Sequence, residues 1–293
     1  MRYLDAIGPN AEQIKHWNQV SGPKWVALHE MVNAQITPLG HLTMERARVG
    51  HDERVLDIGC GCGATTADIA RRVGPQGAAV GVDVSAVMLE QARTLTRDAA
   101  LPQVRFEHAD AQTHGFAPGS FNVLFSRFGV MFFSDPAAAF ANLCQALQPG
   151  GRLGFVCWQA ITDNPWMLVP LSAAAQHITL PAPPPPGAPS PFAFADAERV
   201  RQILTQAGFV DVAIAPHQEE LTIGAGTDLD ETVNFLLEMG PTGSALRQAQ
   251  PDARPAVAAA VRDALRPYAT AEGVRMNSAA WIVTARRPGG ARR

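Results

Sequence analysis

VLDIGCGCGATT, from Val55 to Thr66, carries the architecture of this chain in one short stretch. An aliphatic pair, Val55-Leu56, leads into an acid, Asp57, and then into glycines at alternate positions, Gly59, Gly61 and Gly63. That order is how a buried parallel strand ends, turns sharply and opens a helix. A Cβ at the glycines would block a positive-φ turn or the approach of a ligand to the backbone. The loop implies a cofactor of the nucleoside type without saying which.

Outward from the loop, strand and helix patterns alternate, as in a doubly wound parallel sheet. Strands are expected at 54–58, 78–82, 103–107, 121–125 and 152–157, with helices at 64–73, 85–98 and 136–147. Ser85 is placed to cap the second helix, and Asp135-Pro136 sets a cap before a proline at the first helical position of the third. Pro149-Gly150-Gly151 reads as the stop and turn into the fifth strand. Beyond it, 161–178 looks helical, and PAPPPPGAPSP (181–191) is a stiff connector that cannot join a sheet. A helix at 195–207, a strand at 209–215, a helical block at 227–269 and a last strand at 279–285 complete the chain. Asp228 with Glu231 suggests a capping box in that block. The first fifty residues form helices rich in large side chains, among them Trp17, Trp25, His29 and Met31, where a lid would close over the loop. The division expected is a helical lid at 1–50 and a core at 51–293, with substrate-cap insertions at 159–195 and 224–275.

Composition narrows the function. Of 293 residues 47% are hydrophobic and 17% charged, enough to bury a full core in one elaborated domain. A net charge of −3 argues against a nucleic-acid partner, and the basic tail ARRPGGARR reads as a strand end and a solvated terminus. No apolar run reaches the ~18 residues of a membrane span, and no secretory leader is seen. The four cysteines, Cys60, Cys62, Cys144 and Cys157, lack disulfide or zinc spacing, so the chain reads as cytoplasmic, reduced and metal-free. Oligomeric state is not readable.

Gly59-x-Gly61-x-x-Ala64 fits the dinucleotide fingerprint, and Asp83 stands at the distance of a ribose-binding acid, so an NAD(P)-dependent oxidoreductase is one reading. Three features oppose it. Asp57 would repel a pyrophosphate but suits a cationic ammonium group. A further acid, Asp110 in His108-Ala109-Asp110, ends another strand where an adenine amino group would be met. No basic residue stands near the loop before Arg71 and Arg72. In order and spacing these residues resemble the class I S-adenosylmethionine-dependent methyltransferases, most closely the ubiquinone/menaquinone-biosynthesis type acting on small molecules. The resemblance covers about 54–158. It implies that Asp57-x-Gly59-x-Gly61-x-Gly63 holds the methionine part of S-adenosyl-L-methionine, Asp83 the ribose hydroxyls, and Asp110 with Ala111 the adenine. Cys60 in the loop, Val84 and Met88 after the second strand, and Ser126 ending the fourth join that set. FNVLFSRFGVMFF (121–133) would supply the wall beside the reacting methyl group, and LQPGGRL (147–153) matches the family's turn into strand five. The fold implied is Rossmann-like and α/β: seven mostly parallel strands with strand seven antiparallel beside strand five, and helices on both faces.

The expected activity is methyl transfer to an apolar or aromatic small molecule, an in-line displacement that rests on alignment and desolvation. No catalytic side chain stands out. His16, His114, His177 and His217 read as ordinary surface histidines, and Cys60 and Cys62 as small residues of a tight loop. Arg127, between aromatic residues at a strand end, either binds an anionic part of the acceptor or bridges to a lid carboxylate such as Glu30. Phe128, Met131, Phe132, Phe133, Trp158, Trp166 and Met167 follow strands four and five. Of these, Met131, Phe132, Trp158 and Trp166 are candidates for an acceptor pocket, and Trp17 and Trp25 either close it or only anchor their helices. A regulatory protein of the same fold that has lost catalysis is the alternative from outside enzymes.

Overall fold

In a computed structural model, which describes residues 4–226 and 228–289, three helices precede the first strand: α1 (Ala11–Gln19), α2 (Ser21–Ala27) and α3 (His29–Arg46). Strands and helices then alternate as β1 (Arg54–Ile58), α4 (Ala64–Val73), β2 (Ala78–Asp83), α5 (Ala86–Asp98), β3 (Val104–His108), β4 (Phe121–Arg127), α6 (Pro136–Ala146) and β5 (Leu147–Trp158). The remainder comprises α7 (Pro165–Ala174), α8 (Ala197–Gln206), β6 (Val210–Ile223), α9 (Leu229–Glu238), α10 (Gly240–Leu246), α11 (Arg254–Leu265), β7 (Ala269–Thr270) and β8 (Gly273–Arg286).

The sheet runs β3-β2-β1-β4-β5-β8-β6. β1 to β5 are parallel to their neighbours, while β8 enters antiparallel between β5 and β6. That is the seven-strand path expected, with one addition: the two-residue β7 pairs with the start of β8 and makes an eighth strand. Both faces of the sheet are covered, as all-parallel strands require. On one face Met44 and Ala47 from the end of α3 pack with Ile69 and Val73 of α4 over Val55, Val123 and Phe125. On the other, Phe140 of α6 lies against Phe155 of β5 and Phe194.

Local signals account for the helix starts. Ser85 Oγ accepts from Met88 N–H, Asp135 Oδ1 from Ala138 N–H, and Asp228 Oδ1 from Glu231 N–H. Three expectations need correction. The α6 helix stops at Ala146, so Pro149-Gly150-Gly151 falls inside β5 as an irregular stretch, with Gly150 at φ +77°. The region 161–178 breaks after a single short turn because buried Asn164 pairs with β8 instead, exchanging hydrogen bonds of 3.0 Å with the Ala279 backbone. Helix α7 therefore starts only at Pro165. Finally, β6 and β8 are 14 residues each, far longer than 209–215 and 279–285. In their outer halves Leu221, Ile223, Val274 and Met276 face the core, while the other face is polar and held by cross-strand pairs such as Arg275–Glu220 at 2.6 Å. Of the basic tail, the last residues, 290–293, lie outside the described residues.

Candidate active site

The carboxyl ends of β1, β2, β3 and β4 converge where the strand order reverses, the place at which open α/β sheets bind ligands. The loop after β1 is shaped by its glycines. Gly59 (φ +65°) lies against Gly129 beyond β4, and a Cβ on Gly59 would stand 2.7 Å from the Gly129 Cα. Gly63 (φ +81°) is the residue before α4, and a Cβ there would meet Ala92 of α5 at 2.7 Å. So Gly59 lets two loops touch, whereas Gly63 lets a helix pack.

Asp57 lies behind the loop, 1% exposed. Its Oδ2 accepts from the hydroxyls of Thr65 (2.7 Å) and Thr66 (2.6 Å), and its Oδ1 is buried with no hydrogen-bond partner. Burial pushes this carboxyl up to about 6, against the opposing pull of the two threonine hydroxyls and the Arg127 charge. Asp83, at the end of β2, accepts from Gly61 N–H through Oδ2 (2.9 Å) and from Ser85 N–H through Oδ1 (2.8 Å). Burial raises its pKa as well, partly offset by those backbone hydrogen bonds. Asp110 follows β3 and is held by the N-terminal segment: Asn10 Nδ2 donates to Oδ1 (2.9 Å) and Oδ2 (3.0 Å). Asn10 is 3% exposed; the same amide reaches Gln112 Oε1, and its oxygen accepts from Ser134 N–H.

One cavity joins these strand ends to an aromatic chamber. Of the expected donor-site residues, Gly59, Cys60, Gly61, Asp83, Val84, Met88, Asp110 and Ala111 line it. Asp57, Gly63 and Ser126 do not. Ser126 is fully buried and braces the loops instead: its Oγ donates to Ile58 O (2.7 Å) and accepts from Gly129 N–H (3.2 Å). All the expected acceptor-side residues, Trp17, Trp25, Arg127, Met131, Phe132, Trp158 and Trp166, line the same cavity. Phe128 adopts φ +59°, which costs a bulky residue on the order of 1–3 kcal/mol. Its ring stacks on Trp158 at 4.1 Å, and Trp158 meets Trp166 edge to face at 5.4 Å. Trp166 Nε1 is buried with no acceptor.

Arg127 does not reach Glu30. Its Nη2 donates to Asn33 Oδ1 at 2.7 Å, because Asn33 lies on the inward side of α3 while Glu30 is exposed. The cysteines are buried, and burial holds the thiols protonated: Cys62 is pushed up to about 12 and Cys60 well above its ordinary value. That fits a packing role. Of the histidines, only His29 lines the cavity.

Two covers lie over the site. Helix α1 grips the end of β2 through Asn18, whose Nδ2 donates to Val84 O and whose Oδ1 accepts from Ala86 N–H (both 2.9 Å). Trp17 packs edge to face on Phe132 at 5.1 Å. Phe235 of α9 and Met239 enter the lining from the 224–275 insertion. The covers meet at Glu238, whose carboxylate takes Lys24 from α2 and Arg254 from α11. Asn10, Asn18, Asn33, Thr65, Phe235 and Met239 escaped sequence reasoning. Asn10 carried a signal, since it precedes a helix, but its side chain does not cap that helix.

The fold and these strand-end acids define a doubly wound domain that binds a nucleoside-type ligand next to an apolar chamber. Residues 55–151 match the family model of the methyltransferase domain. The chain is 36% identical over 119 residues to aklanonic acid methyltransferase DauC of a Streptomyces species, a match covering 41% of this chain and 54% of that protein. It is 37% identical over 112 residues to the ubiquinone/menaquinone biosynthesis C-methyltransferase UbiE of Stutzerimonas stutzeri, covering 38% and 44%. The chain thus spans about half the length of the curated relatives it matches. In fold it is similar to the [4+2]-cyclase SpnF, with a TM-score of 0.53 at 23% identity over 86% of this chain and 82% of that one. Residues 55–151 form a class I S-adenosylmethionine-dependent methyltransferase domain.

The residues present fit that donor. The loop backbone is bare where a Cβ would fill the cradle, down to 2.9 Å from the Met88 methyl at Gly61. A buried carboxylate oxygen without a partner stands beneath it. Arg127 is the only lysine or arginine among the described residues lining the cavity, which does not suit a pyrophosphate.

Proposed function

We propose that this chain transfers a methyl group from S-adenosyl-L-methionine to an apolar or aromatic small-molecule acceptor. The observation that carries the reading is continuity: one cavity runs from Gly59, Asp83 and Asp110 to a chamber walled by Trp25, Phe128, Met131, Trp158, Trp166 and Phe235. A fold shared with a cyclase does not decide the reaction; the site does. Bound at the loop, the donor supplies an electrophilic methyl on a sulfonium. The chain's own residues position and desolvate. Asp83 fixes the ribose, Asp110 with Ala111 the adenine, and Asp57 neutralises the methionine ammonium through the loop. Ser126 acts one step back, holding the β1 and β4 turns together. The aromatic walls exclude water and favour a flat apolar acceptor, and Trp166 Nε1 suits an oxygen atom on it.

The lid in this reading comprises α1, α2 and the first half of α3, because Val32, Asn33 and Ile36 line the cavity, whereas Leu39, Thr43 and Met44 are buried away from it. The cavity measures about 210 Å³, below the roughly 300–1,000 Å³ of small-molecule sites, so donor and acceptor together require the covers to shift. Insertions 159–195 and 224–275 act as the substrate cap. No general base is assigned. An apolar lining and a net charge of −3 favour a small molecule over nucleic acid, and four free, buried cysteines suit a reducing compartment such as the cytoplasm. No helix among the described residues is long and apolar enough to cross a membrane.

Calorimetry with S-adenosylhomocysteine and with NADH tests the donor, and transfer of labelled methyl to a panel of phenols and quinones tests the reaction. Binding of NADH without binding of S-adenosylhomocysteine would overturn the reading.

A further inference from the structure

Two side chains of the cavity lining are more than nine-tenths buried and carry an N–H that meets no acceptor among the described residues. One is Trp166, in the first turn of α7, through Nε1. The other is Gln35 of α3, 4% exposed. Its Oε1 accepts from Gly224 N–H at 3.3 Å, and its Nε2 makes no hydrogen bond among the described residues. A backbone N–H only donates, so Gly224 fixes which end of the Gln35 amide is the oxygen and leaves the NH2 over. Asn33, two residues earlier on the same helix, repeats the arrangement. Its Oδ1 is taken by Arg127 Nη2 at 2.7 Å, a group that likewise only donates, so Nδ2 is what remains.

From the lid and from the cap, then, these side chains leave nitrogen donors over, while their amide oxygens are spent on the protein. Buried donors in that state are costly unless a ligand completes them. The indole is also fixed in place, since Trp166 meets Trp158 edge to face at 5.4 Å. The remaining walls, Phe128, Met131, Trp158 and Phe235, are apolar. An amine brought into this chamber would set its own N–H groups against those of Gln35 and Trp166. A carbonyl oxygen, with two lone pairs and no proton, is their complement.

Resting on the methyltransferase reading above, we propose that the acceptor is an aromatic carbonyl compound, and that Gln35 Nε2 and Trp166 Nε1 select it by donating to its oxygens. Gln35 is then a specificity residue supplied by the lid and held in its orientation by Gly224, where the 224–275 insertion begins.

The test is calorimetry on the full chain saturated with S-adenosylhomocysteine, using probes built on one ring system. These are 1-acetylnaphthalene, 1-ethylnaphthalene, in which a methylene replaces the carbonyl, and 1-aminonaphthalene, which donates instead. The natural protein is expected to prefer the acetyl over the ethyl probe by about 10- to 100-fold, the effect of leaving a buried donor unpaired, and to bind the amine no better than the ethyl probe. Combining Trp166→Phe with Gln35→Glu removes both donors while keeping an aromatic ring and an oxygen for Gly224 N–H. In that variant the acetyl preference should vanish and the amine should overtake it. A retained acetyl preference overturns the inference. So does a natural protein that binds acetyl and ethyl probes alike or the amine most tightly, a result that needs no variant to fold. Thermal melting and an unchanged affinity for S-adenosylhomocysteine establish that the variant is intact. A natural protein that does not bind S-adenosylhomocysteine removes the methyltransferase reading itself, a result distinct from the others.

Discussion

Lowering the pH from 7 to 5 should weaken donor binding about tenfold, through a single buried carboxylate. Asp57 has a folded-state value of about 6, and an unfolded aspartate one near 3.9. Between those two pH values the ligand-free fold holds a proton that the unfolded chain has released, so its stability falls as pH rises from about 4 through 6 and then levels. Ionised Asp57 costs the empty protein about 3 kcal/mol, two pH units at 1.36 kcal/mol each. The donor's ammonium wants the ionised form. At pH 7 about ten Asp57 in eleven are ionised and at pH 5 about one in eleven, which gives the tenfold difference. Calorimetry of S-adenosylhomocysteine binding, repeated near pH 6 in buffers of different ionisation heat, should register the release of about half a proton. Asp57→Asn should abolish the release and flatten the profile; any slope left in the variant belongs to Asp83, whose carboxyl is also raised. Equal affinity at pH 5 and pH 7 in the natural protein, with no proton released, would refute the role given to Asp57.

Asp83→Ala removes the acceptor of both Gly61 N–H and Ser85 N–H. Affinity for S-adenosylhomocysteine should drop about 100-fold or more, and an unchanged value eliminates the ribose assignment. Gly59→Ala drives a methyl to 2.7 Å from Gly129 Cα at a φ of +65°, so the two loops must part; the protein should still melt cooperatively but bind no donor analogue, and normal binding would mean the loops have slack. Ser126→Ala should cost about 1–2 kcal/mol in urea unfolding, from the loss of two buried hydrogen bonds, with a loss near zero counting against the brace.

Where the sequence carried local chemistry, it could be read closely. Ala64–Val73 was legible to the residue because Gly63 before it and Gly74 after it punctuate the helix. β1 stood out because Val55, Leu56 and Ile58 are buried in the middle of a parallel sheet, where strands read as apolar runs. The outer halves of β6 and β8 were hidden for the opposite reason. His217 to Glu220 form a polar run at a sheet edge, half-buried or exposed, and their pairing with β8 comes from partners about sixty residues away. In the site, the strand-end acids followed from spacing along one sheet. Asn10 and Asn33 did not, since each matters only through a residue about a hundred positions distant, Asp110 or Arg127. Phe235 and Met239 fall in a block legible only as helical, and nothing local says that it folds back over the cavity.

Lys24 and Arg254 both close on Glu238, one from the donor-side cover and one from the acceptor-side cap. Glu238 and Arg254 both belong to the 224–275 segment, so the Lys24 pair is the tie between the two covers. Release of the spent donor and of the methylated product is expected to depend on that one carboxylate. Both residence times should therefore shorten together as salt is raised, because a half-exposed ion pair is screened over about 8–10 Å. Glu238→Gln should shorten them at low salt and remove the salt response.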